Sequence, residues 1–242
     1  MDIMAYANFN IIDWHAISAG IDTKTAWQKW QETNFIWPEG EKAPVDKIPA
    51  MARRRMSSLS KLAVQTALTL VQEQEVDYLI FASRHGELTR TCALLEDILK
   101  GEDASPMAFS QSVHNTAAGL FTITAKEAIP VTSIAAGENT FHSALIEAAA
   151  YLSDNSNHRV LVIDFDEPLP SHYQEFEQQE YQGYAFGLIL SGGDDFTLQW
   201  NKKPSIKPDV MPHGLQCISK LVGSHSQWMI ESSSTQWTWT HK

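Results

Sequence analysis

Glu138 stands where a short apolar run, Val131 to Ala135 (VTSIA), passes through Ala136-Gly137 into an alanine-rich segment, Glu138 to Leu152. A side chain at such a strand-to-helix elbow meets the positive end of the helix dipole and backbone N–H groups that lack intrahelical partners. A thiol placed there is acidified into a nucleophile. Here the residue is a glutamate, which is favoured at a helix N-terminus on electrostatic grounds alone. Two further combinations invite acid/base or metal chemistry: His85-Gly86-Glu87, and Glu138 with His142 at i, i+4 on one helix face. Zinc requires three or four ligands and no third is in sight, so neither a metal nor a cofactor is expected. The plainer reading is a helix-end carboxylate near a solvated histidine. Neither a Gly-rich phosphate loop nor a G-x-S-x-G elbow occurs, so nucleotide hydrolysis and α/β-hydrolase chemistry have no residues to stand on.

Alternating strands and helices must position these groups. Ala5 to Ile12 can serve as a strand, and Thr23 to Gln31 has helix-forming content behind an Asp22/Thr23 cap. A loop marked by Pro38, Gly40, Pro44 and Pro49 follows, then the basic run Arg53-Arg54-Arg55. From Leu59 the apolar positions Leu59, Leu62, Ala63, Thr66, Ala67, Leu70 and Val71 recur at threes and fours, one face of a buried helix. Asp77 to Ala82, Val131 to Ala135 and Arg159 to Phe165 read as strands. Glu87 to Leu99, Asn115 to Ala125 and Glu138 to Leu152 read as helices. The run RVLVIDF has the continuous apolar character of a strand covered on both faces. After the polar stretch Asp166 to Gln182, the segments Tyr184 to Ser191 and Phe196 to Trp200 read as a hairpin around Gly192-Gly193-Asp194-Asp195. The tail from Pro204 offers a short helix, Gly214 to Val222, and a strand-type alternation at Trp237-Thr238-Trp239. The expected fold is α/β: a mixed five-stranded sheet with helices on both faces over residues 1–203, and a C-terminal extension over 204–242.

Composition narrows the function classes. The 242 residues carry 18 Lys and Arg against 29 Asp and Glu, a formal net charge of −11, which disfavours nucleic acid and anionic lipid surfaces. The charged share of 19% is low beside a 43% hydrophobic share, which points to surface buried against a partner. Two cysteines, Cys92 and Cys217, form no C-x-x-C pair. Met1 to Ile12 shows no basic region followed by an apolar core, and no apolar run reaches about 18 residues. The expectation is a cytoplasmic chain without a membrane span.

The elbow segment Ser133-Ile134-Ala135-Ala136-Gly137-Glu138 resembles the active-site segment S-I-x-T-A-C of β-ketoacyl-acyl carrier protein synthases, with their cysteine falling on Glu138. Asn115 and Ala118-Gly119 fall where those enzymes have N-x-x-A-G. Ser105-Pro106-Met107-Ala108-Phe109 resembles their S-P-x-x-x segment, which borders the acyl tunnel at the dimer interface. Arg53 to Ser57, Asp77 to Gly86 and Tyr184 to Leu190 also look like the corresponding elements. The resemblance covers the N-terminal half of a thiolase-like condensing enzyme. The two catalytic histidine motifs of the other half do not occur after residue 200, where the histidines are His213, His225 and His241. In style the chain is similar to chain length factors, inactive partners of ketosynthases, and to half-length synthase-like proteins found beside aryl polyene synthases. Its S-V-H-N and R-R-R-M-S runs are the marks of the latter.

The resemblance implies a noncatalytic subunit paired with a full-length ketosynthase and only indirectly engaged by acyl carrier protein. It places Met107, Phe109, Val113, His114, Phe141 and His142 at the acyl tunnel or partner interface, although ordinary core roles for Met107, Phe109 and Val113 remain open. Arg53, Arg54 and Arg55 become a weak carrier-protein docking cluster, or else a solvated helix entry. Glu138 becomes a spacer or ion-pair former at a sealed former active site. The alternative is malonyl-carrier-protein decarboxylation, with Glu138 in place of the cysteine as Gln is in decarboxylating relatives. A third reading is a stand-alone binder of acyl chains or carrier protein.

Overall fold

Apolar residues on successive strands point alternately to two faces, and each face carries its own core. The computed structural model describes residues 5–177, 179–203 and 211–242; residues 1–4 of the expected N-terminal segment and 204–210 of the expected extension lie outside them. The strands are β1 (Ala5–Ser18), β2 (Tyr78–Ala82), β3 (Val131–Ile134), β4 (Arg159–Asp166), β5 (Tyr184–Lys202), β6 (Gln227–Glu231) and β7 (Thr235–His241). The longer helices are α1 (Lys24–Glu32), α3 (Ser58–Val71), α4 (Leu88–Leu99), α6 (Thr116–Ala125), α7 (Thr140–Asp154) and α8 (His213–Val222), with short α2 (Ala50–Arg53) and α5 (Pro106–Ser110). Side-chain caps start several of them: Thr23 Oγ1 accepts from Ala26 N, and Ser57 Oγ accepts from Ser60 N at 2.8 Å.

The expected mixed five-stranded layer is present as β3-β2-β4-β5-β1, with β2 parallel to β3 and β4, and β5 antiparallel to β4 and β1. Leu79, Phe81, Leu161 and Ile163 pack with α3 and α6, while Ile80, Val160 and Val162 pack with α7. Helices thus cover both faces, as period-2 alternation of wholly apolar strands requires. Beyond this layer β7 and β6 extend the sheet to seven strands.

One expectation is overturned. Residues 184 to 202 form a single strand, not a hairpin, because β1 pairs antiparallel with it on both sides of the glycine pair, at 184–191 and at 196–200. Phe9 pairs with Phe196 and Asn10 with Ser191, so Gly192 to Asp195 are taken up as a bulge in a continuing ladder. The outer part of β5 then receives β7, with Leu198 opposite Trp239 and Trp200 opposite Trp237. Trp228, Trp237 and Trp239 enter the same core as α7. Each buried indole removes roughly 150–250 Å² from water, about 4–6 kcal/mol at 25 cal/mol/Å². Residues 211–242 are therefore anchored into the sheet through their aromatic side chains. No helix among the described residues is long and apolar enough to cross a membrane.

Candidate functional site

The elbow forms as the spacing predicts, with one refinement at the helix start. β3 ends at Ile134, Gly137 adopts φ +60°, and Gly137–Asn139 make a single 3₁₀ turn before α7. The left-handed φ at Gly137 is a conformation that a side chain would strain. Thr140 secures the bend: its Oγ1 donates to the Gly137 carbonyl at 2.8 Å and accepts from Ala136 N at 2.9 Å.

The C-terminal residues lie directly against this elbow. Glu138 Oε2 accepts the backbone N–H of Ser233, in the turn between β6 and β7, at 2.7 Å. Asn139 Oδ1 accepts from Trp237 Nε1 at 2.9 Å. The His142 ring stacks on Trp237 with centroids 4.4 Å apart and an interplanar angle of 6°. Glu138 and His142 therefore do not converge on a common ligand: the first faces the tail's turn and the second points into the core. Among the described residues no group of three or more His, Cys, Asp or Glu could hold a metal ion.

His142 belongs to an ordered chain of hydrogen bonds. An indole N–H can only donate, so Trp239 Nε1 donates to His142 Nε2 at 3.1 Å and the imidazole proton sits on Nδ1. That Nδ1–H donates to His213 Nδ1 at 2.9 Å, and His213 Nε2–H in turn donates to the Glu231 carbonyl at 3.2 Å. Both rings are then neutral with every nitrogen paired. Burial drives the pKa of His142 well below the ordinary value, helped by His213, and burial lowers that of His213 to about 4 against the carbonyl hydrogen bond.

Below the elbow lies a buried carboxyl pair from β4. Tyr184 Oη donates to Asp164 Oδ2 at 2.6 Å, and burial holds the Asp164 carboxyl well above the usual carboxylate range. Gly214, at the start of α8, comes so close that a Cβ would sit 2.1 Å from Asp164 Oδ2. Asp166 accepts from Ser83 Oγ and Arg84 N, each at 2.8 Å; burial nevertheless pushes it up to about 6. Between Glu138, Thr140, Asp164, Asp166, Tyr184 and His213 only about 20 Å³ of cavity remains. That is room for about one water molecule.

The other predicted residues divide. Met107, Phe109 and Val113 are 54%, 64% and 40% exposed, so the open alternative of ordinary core packing is excluded. Met107 and Val113 line a surface groove of about 590 Å³ together with Met51, Arg55, Leu120 and Ile123. His114 donates through Nε2 to the Ser83 carbonyl at 2.8 Å and lines a second groove beside Val131 and Ser133, on the edge strand β3. Phe141 and His142 do not belong with them. At 2% and 0% exposure they lie inside the chain, because Trp237 and Trp239 cover the first turn of α7. Arg54 and Arg55 are exposed and Arg53 is half-buried. Glu87 turns inward to accept from Ser57 and Ser60, so the His85-Gly86-Glu87 run is an anchor for α3. Sequence reasoning missed Asp164, Tyr184, Trp237 and Trp239 as site residues. The available signals were two aspartates within an otherwise apolar strand and paired tryptophans at period two.

A family model for the N-terminal domain of β-ketoacyl synthases matches residues 27–240. No curated protein sequence matches the chain. Among solved structures it is similar to a chain of the ketosynthase ApeO in complex with its chain length factor ApeC from Xenorhabdus doucetiae. The identity is 30% and the TM-score 0.86, with 97% of this chain and 99% of that chain covered. The ishigamide ketosynthase/chain length factor is similar at 13% identity and TM-score 0.65, covering 83% of this chain and 68% of that one. The type II polyketide synthase complex AntDE:AntF is similar at 12% identity and TM-score 0.67, covering 98% and 100%. At such low identity the last two bear on the fold alone. The fold is the thiolase-like fold of ketosynthases.

Proposed function

Because the chain belongs to the β-ketoacyl synthase N-terminal-domain family, we propose that it is a noncatalytic, chain-length-factor-like subunit. It pairs with a full-length β-ketoacyl-acyl carrier protein synthase and borders the tunnel in which that enzyme's acyl chain grows. The pathway we propose is aryl polyene or related type II polyketide assembly, in the cytoplasm. The observation that carries the reading is the closed elbow. A carboxylate stands at the elbow, where the resemblance puts the nucleophile; one of its oxygens is occupied by Ser233 N–H, and about 20 Å³ remains beside it. Acyl transfer needs a nucleophile that can form and release a thioester, together with groups that stabilise the developing enolate.

Likeness along 97% of the chain to a ketosynthase–chain length factor complex supports the pairing. The apolar groove around Met107, Val113 and Ile123, with exposed Phe109 nearby and β3 at the edge of the sheet among the described residues, supplies a surface of the right character. Arg55 on the groove's rim gives an acidic carrier protein a point of attraction. Malonyl decarboxylation at Glu138 gains nothing from this geometry, since a malonyl thioester is far larger than one water molecule. Co-expression with a full-length β-ketoacyl-acyl carrier protein synthase from the same source tests the reading. A single 1:1 species on size-exclusion chromatography is the expected result, and two separate species would sink it.

A further inference from the structure

The elbow is closed by the chain itself. Three residues on its rim, Glu138, Asn139 and His142, direct their side chains to residues 231–239. The contacts form one continuous strip. Glu138 holds the Ser233 N–H, Asn139 the Trp237 indole, and His142 lies between Trp237 and His213, whose outer nitrogen reaches the Glu231 carbonyl. The deeper part of the strip is apolar and aromatic, and burial of Trp237 and Trp239 accounts for its adhesion. The outermost contact differs in kind. It joins a carboxylate to a backbone amide in an exposed turn, where no apolar burial would hold the chain down. The turn is also braced from within by Ser232, whose Oγ accepts from Thr235 N at 3.0 Å, and from the end of β5 by Lys203, whose N–H donates to the Ser234 carbonyl at 2.9 Å.

We propose that the β6–β7 hairpin is a self-supplied cover for the elbow, and that Glu138 is its latch, a positioning residue that keeps the Ser232–Ser234 turn seated against the start of α7. Glutamate suits this task better than shorter or neutral side chains. It reaches outward from the 3₁₀ turn, and its charge shortens and strengthens the bond to an N–H donor. The inference is independent of pairing with a ketosynthase: closure is a property of the isolated chain, and partner binding is a separate measurement.

Residue-resolved hydrogen exchange on the full chain tests it. In the wild type the Ser233 amide should exchange at least about tenfold more slowly than a free serine amide, despite its exposed setting. Glu138→Ala should accelerate exchange roughly tenfold at Ser233 and its neighbours in the turn, while amides in α3 and β2 keep their protection. Glu138→Gln, which retains an acceptor oxygen, should recover part of the protection. A wild-type Ser233 amide that exchanges like a free one would overturn the proposal without any variant. So would Glu138→Ala leaving the turn unchanged, or loosening the turn and α3 alike. If the alanine variant does not fold, the wild-type measurement and the near-isosteric glutamine variant still decide.

Discussion

At the scale of single residues, what holds the site together is the neutrality of two buried histidines. His213 lowered to about 4 means that the folded chain resists protonation, whereas the unfolded chain takes up a proton near 6.5. The stability that depends on a neutral His213 is complete above about pH 6.5 and is lost as pH falls toward 4, roughly 3 kcal/mol over the whole interval. Asp166 acts in the opposite direction: pushed up to about 6 by burial, it favours the folded state more at low pH and loses that contribution as pH rises from 3.8 to 6. The groups facing His213 are His142 from α7, Glu138 at the elbow, the Glu231 carbonyl from β6 and Arg84 after β2. Comparing wild type with His213→Asn isolates the histidine, because Asp166 is common to both. Chemical denaturation at pH 7 and at pH 4.5 should show a smaller loss of stability in the variant. An equal loss in both would mean that His213 already carries its proton in the folded state. None of these pairings could be read from spacing, since His142 and His213 are 71 positions apart.

At the scale of elements, the tightest approach at the site is that of the start of α8 to Asp164 on β4. Only a hydrogen fits at position 214. Gly214→Ala should therefore destabilise the chain by roughly 1–3 kcal/mol, although alanine is the better helix former. The expected signature is a lower denaturation midpoint with an unchanged slope. A midpoint equal to or above that of wild type would show that α8 shifts freely on the sheet. Periodicity located most elements to within two residues, because an apolar stripe at threes and fours, or a wholly apolar short run, reports its own burial. It failed at residues 184 to 202, where the glycine pair is a turn signal by composition. The side chain of Asn10 packs against Gly193 and its Oδ1 accepts from Asp195 N at 3.0 Å, so a partner strand in register outweighs the local preference.

At the scale of the whole molecule, the apolar side chains divide between a buried elbow and an exposed groove. Met107→Glu or Phe109→Glu should weaken association with the ketosynthase partner at least tenfold, as measured by titration of the purified chains. Both side chains are more than half exposed, so the melting temperature of the isolated chain should stay within about 2 °C. Undiminished affinity in both variants would move the interface elsewhere. The low charged fraction of 19% acquires two physical explanations here: an apolar face left open, and an aromatic tail folded inward. The sequence by itself determined the alternation of layers, the strand-to-helix elbow with a glutamate at its tip, and the family likeness, because each rests on residue types at short spacing. Only the tertiary structure decided that Trp237 and Trp239 cover His142, that Glu138 holds the Ser233 amide, and that Phe141 lies inside while Phe109 lies outside. Those facts depend on contacts between segments about 95 to 100 residues apart. Local propensity carries no information about which distant segment completes a half-buried surface.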